Sequence, residues 1–217
     1  MVCVHERSGD HPKSVFTLIA EEPQKAALLI VDVQNDFCPG GALPVNEGDQ
    51  VVAVLNRYSA RFRALGLPIF ASRDWHPRRS AHFADFGGAW PVHCVQSTNG
   101  AAFHPDLVLP GPANIISKGI DIGDDGYSAF QGIFADGTSL EERLSREQIE
   151  HVYVGGLATD YCVRSSALDA RNSGRSVTVL IDAIRGVDVH AGDSERALGE
   201  MAQAGIATAT FDTLILE

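Results

Sequence analysis

A cysteine at the start of a predicted helix is the first candidate for chemistry in this sequence. Residues 154–163, VGGLATDYCV, are typical of an apolar strand, a turn of small residues and the first turn of a helix, which contains Cys162. A thiol there lies near unpaired backbone N–H groups and the positive end of the helix dipole, and both favour the thiolate. The same N–H groups could bind the oxyanion that forms when a thiolate attacks a carbonyl. The segment therefore predicts a cysteine hydrolase or acyl-transfer site.

Two charged residues near the ends of predicted strands could complete such a site. Asp32 lies in the apolar run ALLIVDV, where an unpaired buried carboxylate would be costly, so we expect it to have a partner. Beside a cysteine it could take the thiol proton and return it to a leaving amine. Lys118 ends the segment IISK. Because parallel strands end at one edge of a sheet, Lys118 can meet Asp32 there and stabilise both anions.

The long loop after the second predicted strand carries side chains that could bind a metal ion. Asp74 and His76 are two residues apart in RDWH, so an extended backbone would place both on one side. His82 and Asp85 follow, and His93 lies in PVHC. Carboxylate and imidazole groups suit Zn²⁺, Fe²⁺ or Mn²⁺. Histidines in polar loops are also commonly solvated, so the spacing alone leaves the metal site open.

Alternating apolar and helical patterns predict the elements that position these residues. The predicted strands are 26–33, 67–71, 113–118, 151–154, 177–181 and 207–210, and the predicted helices are 48–65, 139–144, 160–172 and 191–204. This alternation implies right-handed crossovers and a sheet covered on both faces. In such sheets, ligands bind beyond the carboxyl ends of the strands. The sequence therefore predicts an α/β fold, three-layer α/β/α, with a mostly parallel six-stranded sheet.

Composition limits the domain organisation and the partners. Residues 1–24 are polar and lack periodicity, which predicts an N-terminal extension that could be disordered, followed by a single domain over 25–217. The formal net charge of −11 argues against a nucleic-acid partner. The apolar runs have strand length, which argues against a membrane partner, and the N-terminus is too polar for a secretory signal. We therefore expect a cytoplasmic protein with reduced cysteines.

Five segments of the chain, in order, resemble one enzyme family. They are VDVQNDF at 31–37, SRDWH at 72–76, WPVHC at 90–94, ISKG at 116–119 and GLATDYCV at 156–163. The chain is similar to the isochorismatase-like cysteine hydrolase superfamily, and the DWH and WPVHC segments point to its metal-containing nicotinamidase (pyrazinamidase) branch. The resemblance implies deamidation of nicotinamide, and of pyrazinamide, to a carboxylate and ammonia.

The resemblance also implies roles for the residues of the reacting centre. Cys162 would be the nucleophile, Asp32 the proton carrier and Lys118 their partner. The Leu157–Ala158 bond matches a cis peptide of the family. The turn that follows would aim the N–H groups of Ala158 and Cys162 at the oxyanion.

A metal ion and an aromatic pocket are implied in the same way. Asp74, His76 and His93 would bind one divalent ion, Zn, Fe or Mn, whose open position takes the pyridine nitrogen. The fourth ligand varies in the family, so His82 is a candidate and Asp85 a substitute. Three aromatic side chains would wall the substrate ring, namely Phe37, Trp90 and Tyr127.

Other functions remain compatible with these residues. Another amidase of the superfamily, acting on N-carbamoyl compounds, ureidoacrylate or maleamate, would share the triad but generally lack the metal ligands. A metallohydrolase would attack with metal-bound water and keep Cys162 as a structural residue. A metabolite-binding protein on this fold would bind its ligand without turnover. We expect a small-molecule substrate for any of these enzymes. A homo-oligomer is expected only by analogy with the family.

Overall fold

The computed structural model describes residues 25–214 and contains one parallel sheet between two layers of helices. The strands are β1 Ala26–Val31, β2 Ile69–Asp74, β3 Ile115–Lys118, β4 His151–Leu157, β5 Ser176–Arg185 and β6 Ala207–Ala209. The helices are α1 Val51–Ala64, α2 Leu140–Arg146, α3 Arg164–Asn172 and α4 Asp193–Gln203. None of the helices within the described residues is long and apolar enough to cross a bilayer.

The sheet has six strands in the order β3-β2-β1-β4-β5-β6, and every neighbouring pair is parallel. All side chains of β1 are buried. Its even-numbered residues join the core that contains the apolar side of α1, and its odd-numbered residues join the core formed with α2, α3 and α4. A central strand covered on both faces is apolar along its whole length for this reason. The predicted three-layer fold is confirmed, and the predicted extension 1–24 lies outside the described residues.

Several strand boundaries differ from the sequence-based prediction, and three of them shape the site. β1 ends at Val31 instead of continuing to residue 33, because Asp32 turns the chain with a φ of 49°. β2 continues to Asp74, which is therefore a strand residue and not part of a loop. β4 runs on through its glycines, because Gly156 has a φ of 127° and a Cβ there would lie 2.0 Å from the Val31 carbonyl oxygen. Glycine lets the two strand ends approach closely.

The segment after β4 is a wide turn, whereas the sequence predicted one regular helix from residue 160 to 172. Residues Thr159–Val163 form a π-type turn, and the α-helix begins only at Arg164. The Val163 N–H donates to the carbonyl oxygen of Ala158, five residues earlier, at 3.1 Å. Cys162 therefore lies in the π-type turn that precedes α3. Such turns occur frequently at functional sites.

Candidate active site

The parallel register places the ends of β2 and β3 side by side. Asp74 and Lys118 are register partners, and the Lys118 ammonium group contacts the Asp74 carboxylate. Asp32 follows β1, the other neighbour of β2, and its Oδ2 lies 2.7 Å from the Nζ of Lys118. This second contact is an ion pair without the angle of a hydrogen bond. Lys118 thus lies between two carboxylates at one edge of the sheet.

Cys162 joins this cluster from the β4 side. Its Sγ lies 3.4 Å from the Nζ of Lys118. One carboxylate oxygen of Asp32, one of Asp74 and the Cys162 sulfur lie within 4.8 Å of one another. The Leu157–Ala158 peptide before the turn is cis, as the resemblance implies. The structure therefore brings together the three residues that the sequence placed at three separate strand ends.

Short contacts hold the two buried charges of this cluster in place. Asp32 and Lys118 are completely buried. The Ser72 hydroxyl donates to Oδ1 of Asp32 at 2.7 Å, and Lys118 donates to the carbonyl oxygen of Gly126 at 2.5 Å. Buried charges are stable only when they are paired and hydrogen-bonded. Ser72 and Gly126 supply part of that pairing, and the sequence alone assigned neither of them this role.

Burial and neighbouring charges set the protonation of the cluster. Burial and, secondarily, the nearby Asp74 raise the pKa of Asp32 to about 6 against the opposing attraction of Lys118. Burial favours the neutral amine of Lys118, but Asp32 and Asp74 hold its pKa well above the ordinary value. Burial opposes ionisation of Asp74 too, yet Lys118 and then His76 keep its pKa below the usual range. Lys118 is therefore a cation shared between two acids.

The same environment keeps the cysteine protonated at rest. Burial raises the pKa of the Cys162 thiol well above its ordinary value, Lys118 lowers it, and Asp32 and Asp74 raise it further. A helix start alone would favour the thiolate, but here desolvation and two carboxylates outweigh one lysine. A base would have to remove this proton before the sulfur could act as a nucleophile, and Asp32 is adjacent.

Three buried histidines meet beside Asp74. One ring nitrogen from each of His76, His82 and His93 lies within 4.8 Å of the others. The Oδ2 of Asp74 lies 3.7 Å from Nε2 of His76 and 3.9 Å from Nε2 of His93. An ion with bonds of about 2.0–2.1 Å could span these gaps. Asp85 is exposed on a short turn and lies outside the group, so the structure places His82 and not Asp85 with the other ligand candidates.

Hydrogen bonds orient two of these rings toward a common centre. Nδ1 of His76 lies 3.1 Å from the carbonyl oxygen of Gly119, and Nδ1 of His93 lies 2.7 Å from that of Pro91. A carbonyl oxygen can only accept, so Nδ1 carries the proton and Nε2 keeps its lone pair. Burial lowers the pKa of His93 to about 4, which keeps that ring neutral.

The donor set fits a divalent metal ion. Nε2 of His76 is buried and has no hydrogen-bond partner among the described residues. Burying an unpaired polar nitrogen is unfavourable, and a metal ion would satisfy it. One carboxylate and up to three imidazoles match the ligands of zinc, iron and manganese sites.

Aromatic rings line the pocket between the two clusters. Nε1 of Trp90 donates to the Tyr127 hydroxyl at 2.8 Å. Tyr161 packs edge-on against Trp90 with ring centroids 4.8 Å apart, and it stacks with Tyr127 at 6.0 Å. Phe37 lies against the His93 ring at 5.5 Å. The apolar lining consists of Phe37, Leu43, Trp90, Tyr127, Ala158, Tyr161 and Val187.

Two residues of the VDVQNDF segment support the candidate metal ligands from across the sheet, and the sequence alone did not assign them that role. The buried Gln34 amide donates to the backbone carbonyl of Asp74 and accepts from its N–H, both at 2.8 Å. The Asp36 carboxylate accepts from the N–H of Cys94, next to His93, at 2.7 Å. These partners lie 40 and 58 residues away in sequence, so no local pattern marks them.

Comparison with known proteins gives one consistent set of relatives. A family model described as the isochorismatase domain matches residues 26–213. A nicotinamidase of Escherichia coli (strain K12) is 42% identical over 207 residues, which cover 87% of this chain and 94% of the relative. The crystal structure of a pyrazinamidase of Pyrococcus horikoshii in complex with zinc has a TM-score of 0.79 and 45% identity, covering 86% of this chain and 99% of that one.

A second solved structure extends the comparison to a bound ligand. It is a PnC1 protein from L. infantum in complex with nicotinate, with a TM-score of 0.80 and 34% identity. The match covers 90% of this chain and 98% of that chain. The shared fold therefore extends over nearly all of the described residues.

Proposed function

Since this chain belongs to the isochorismatase family, we propose that it is a nicotinamidase, which hydrolyses nicotinamide, and also pyrazinamide, to the carboxylate and ammonia. The observation that carries the proposal is the arrangement of the pocket. Cys162 of the reacting cluster and His82 and His93 of the histidine cluster line one cavity with aromatic walls. A reacting carboxamide and a nitrogen heterocycle on one small molecule would match these two parts. The names of the E. coli and P. horikoshii relatives support the same substrate class.

The first half-reaction would transfer the acyl group to the cysteine. Asp32 takes the proton from the Cys162 thiol, and the resulting thiolate attacks the carboxamide carbon. Lys118 stabilises the developing negative charge from 3.4 Å away. The backbone N–H groups of Ala158 and Cys162 would hold the oxyanion, and such a donor is commonly worth about 3 kcal/mol of barrier. The C–N bond then breaks, ammonia leaves with the proton from Asp32, and a thioester remains.

The second half-reaction would release the acid. Asp32, now a carboxylate again, takes a proton from water, and the hydroxide attacks the thioester carbon. The C–S bond breaks, and the Cys162 sulfur recovers the proton that Asp32 holds. One water is consumed for each amide, and the thiol and the carboxylate return to their starting states.

The remaining pocket residues would bind and orient the ring. Phe37, Trp90 and Tyr127 would enclose its faces and exclude water. Asp74, His76, His82 and His93 would hold the divalent ion, which when bound supplies a Lewis-acidic position for the ring nitrogen. Because the ring is then fixed at its far end, the carboxamide would lie over Cys162.

The test is ammonia release from nicotinamide by the purified protein, Cys162→Ala, Cys38→Ala and a chelator-treated sample. Cys38 is a matched control because it is also buried but does not line this pocket. We expect turnover in the wild type and in Cys38→Ala, and its loss in Cys162→Ala and after chelation. Restored turnover on return of Zn²⁺, Fe²⁺ or Mn²⁺ would identify the ion.

The alternative outcomes are distinct. Activity that survives in Cys162→Ala would exclude covalent catalysis and favour attack by metal-bound water. A stable wild type that releases no ammonia from nicotinamide, but does so from an N-carbamoyl amide, ureidoacrylate or maleamate, would favour another amidase of the family. Ligand binding without turnover would indicate a binding protein.

A further inference from the structure

The third histidine of the cluster has a different hydrogen-bond partner from the other two. Nδ1 of His76 and Nδ1 of His93 each face a backbone carbonyl. Nδ1 of His82 instead faces a side chain, with Oδ1 of Asp125 at 3.4 Å. Asp125 also lines the pocket itself. It lies seven residues after Lys118, in a segment that has no metal-ligand motif.

A carboxylate in this position would have two effects on the ring. As an acceptor it fixes the proton on Nδ1, which leaves the Nε2 lone pair of His82 for the shared centre, as in the other two rings. As an anion it also increases the basicity of the imidazole, which a carbonyl does less strongly. His76 stacks on the His82 ring with centroids 4.9 Å apart, so the ring plane is already restrained. Asp125 then determines which nitrogen of the His82 ring is available to a metal ion.

We propose that Asp125 is a positioning residue of the metal centre, which holds His82 as the fourth ligand. This inference rests on the metal-binding part of the proposed function and deepens it. The sequence left the fourth ligand open between His82 and Asp85. The Asp125 contact favours His82, because it orients that ring as the other two ligand rings are oriented.

The backbone around Asp125 links this ligand to the reacting cluster. The next residue, Gly126, accepts a hydrogen bond from Lys118 at 2.5 Å, and its N–H donates to the Asp124 side chain at 3.0 Å. Tyr127 follows and accepts from Trp90. The contact between Asp125 and His82 thus joins the metal-ligand segment to the segment that carries a Lys118 partner and a pocket wall.

The exposure of Asp125 limits the size of the effect. Its side chain is 68% exposed, and a carboxylate in solvent is partly screened. Loss of an outer partner of a metal ligand typically weakens metal binding by about 10–100-fold. We therefore expect about a tenfold loss for Asp125→Ala, at the lower end of that range.

The experiment measures the Zn²⁺ dissociation constant of the purified full-length protein by competition with a chromophoric chelator. The variants are Asp125→Ala, Asp125→Asn, His82→Ala and the double variant. The control is Asp121→Ala, an exposed acid of the same segment whose side chain has no hydrogen-bond partner among residues 25–214. The thermal midpoint of each metal-free variant is measured in parallel to detect a loss of folding.

The proposal requires a specific pattern. Asp125→Ala should raise the Zn²⁺ Kd about tenfold, Asp125→Asn should raise it less because the amide oxygen can still accept, and Asp121→Ala should not change it. In the His82→Ala background, Asp125→Ala should have no further effect. The metal-free midpoints should stay equal, because a merely structural role would move them.

Two results would overturn the proposal, and they differ in what else they affect. If wild-type Zn²⁺ binding is tight and Asp125→Ala binds as tightly as Asp121→Ala, the role of Asp125 is excluded and the proposed function stands. If the wild type binds none of Zn²⁺, Fe²⁺ or Mn²⁺, both the metal in the proposed function and the role of Asp125 are excluded.

Discussion

Lys118 and Asp74 are register partners on adjacent strands, and their side chains form a buried ion pair. The same ammonium group lies 2.7 Å from Asp32 and 3.4 Å from Cys162. One lysine therefore contacts the candidate nucleophile, the candidate base and a candidate metal ligand. The reacting cluster and the candidate metal-binding cluster share this charge, so the effect of a change at Lys118 can be measured at both.

Replacing Lys118 should separate turnover from metal binding. In Lys118→Gln the thiolate loses its neighbouring cation, so we expect kcat to fall by about 10²-fold or more. Zn²⁺ should bind as tightly as before or more tightly, because the ammonium group no longer competes for Asp74. Initial rates of ammonia release and chelator competition measure the two quantities.

A surface lysine provides the matched control for this substitution. Lys25 pairs with Glu150 at 2.9 Å, away from the pocket, and Lys25→Gln should leave both quantities unchanged. Because Lys118→Gln leaves buried carboxylates less well paired, its urea unfolding curve must be recorded too. A folded Lys118→Gln protein with weakened Zn²⁺ binding would contradict the expected competition.

The pH dependence of catalysis should report the protonation of Asp32. Burial raises the pKa of this carboxyl to about 6, and the proposed base must be ionised to accept the thiol proton. As the pH falls through this value the carboxylate is lost, so kcat/KM should decrease by about tenfold per pH unit. The measurement is kcat/KM between pH 4.5 and 8 (roughly the range that brackets the titration) at saturating metal.

Ser72 allows that assignment to be checked. Its hydroxyl donates to the charged form of Asp32 at 2.7 Å and so lowers the pKa of the carboxyl. A hydrogen bond to a charged group contributes about 1.5 kcal/mol, or about one pH unit. In Ser72→Ala, the acidic limb of the kcat/KM profile should therefore shift to higher pH by about one unit. If the acidic limb does not shift, the titration belongs to a group other than Asp32.

Removing one hydroxyl should loosen the aromatic pocket without affecting the chemistry. Tyr127→Phe keeps the ring but deletes the hydrogen bond from Trp90, 2.8 Å long. We expect the loss of this hydrogen bond to weaken substrate binding by about 1 kcal/mol. The KM for nicotinamide should then rise about fivefold, with little change in kcat. Tyr161→Phe is the control, because the Tyr161 hydroxyl has no hydrogen-bond partner within residues 25–214. Equal KM values for the two variants would show that the hydrogen bond from Trp90 does not hold the Tyr127 ring in place.

Two glycines should respond oppositely to the same substitution. In Gly156→Ala the new Cβ would lie 2.0 Å from the Val31 carbonyl oxygen at a φ of 127°, which should cost more than about 3 kcal/mol of unfolding free energy. Gly199 lies inside α4 with no atom within 4 Å of an added Cβ, and Gly199→Ala should stabilise by about 0.5–1 kcal/mol. Urea unfolding measures both, and a Gly156→Ala protein as stable as the wild type would refute the steric argument.

The parts of the site that the sequence predicted are those that a short segment encodes. The apolar runs specified six strands in a layered α/β fold, and the strand-end positions of Asp32 and Lys118 predicted their convergence, which the structure shows. The sequence shows the helix start that favours a thiolate at Cys162, but not the burial beside two carboxylates that raises the pKa of this thiol. The boundary of β1 was wrong for a similar reason, since the left-handed φ of Asp32 depends on its neighbours.

By itself, the sequence determined which chemical groups are available and on which strand ends they lie. Alternating apolar patterns set the faces of strands and helices, and the five motifs specified the family, because both depend on neighbouring residues alone. Only the tertiary structure decided how the groups are combined. The sheet register pairs Asp74 with Lys118, and the segment after β3 brings Asp125 to His82 across 43 residues. Such contacts depend on strand order and loop packing, and side-chain spacing along the chain does not encode them.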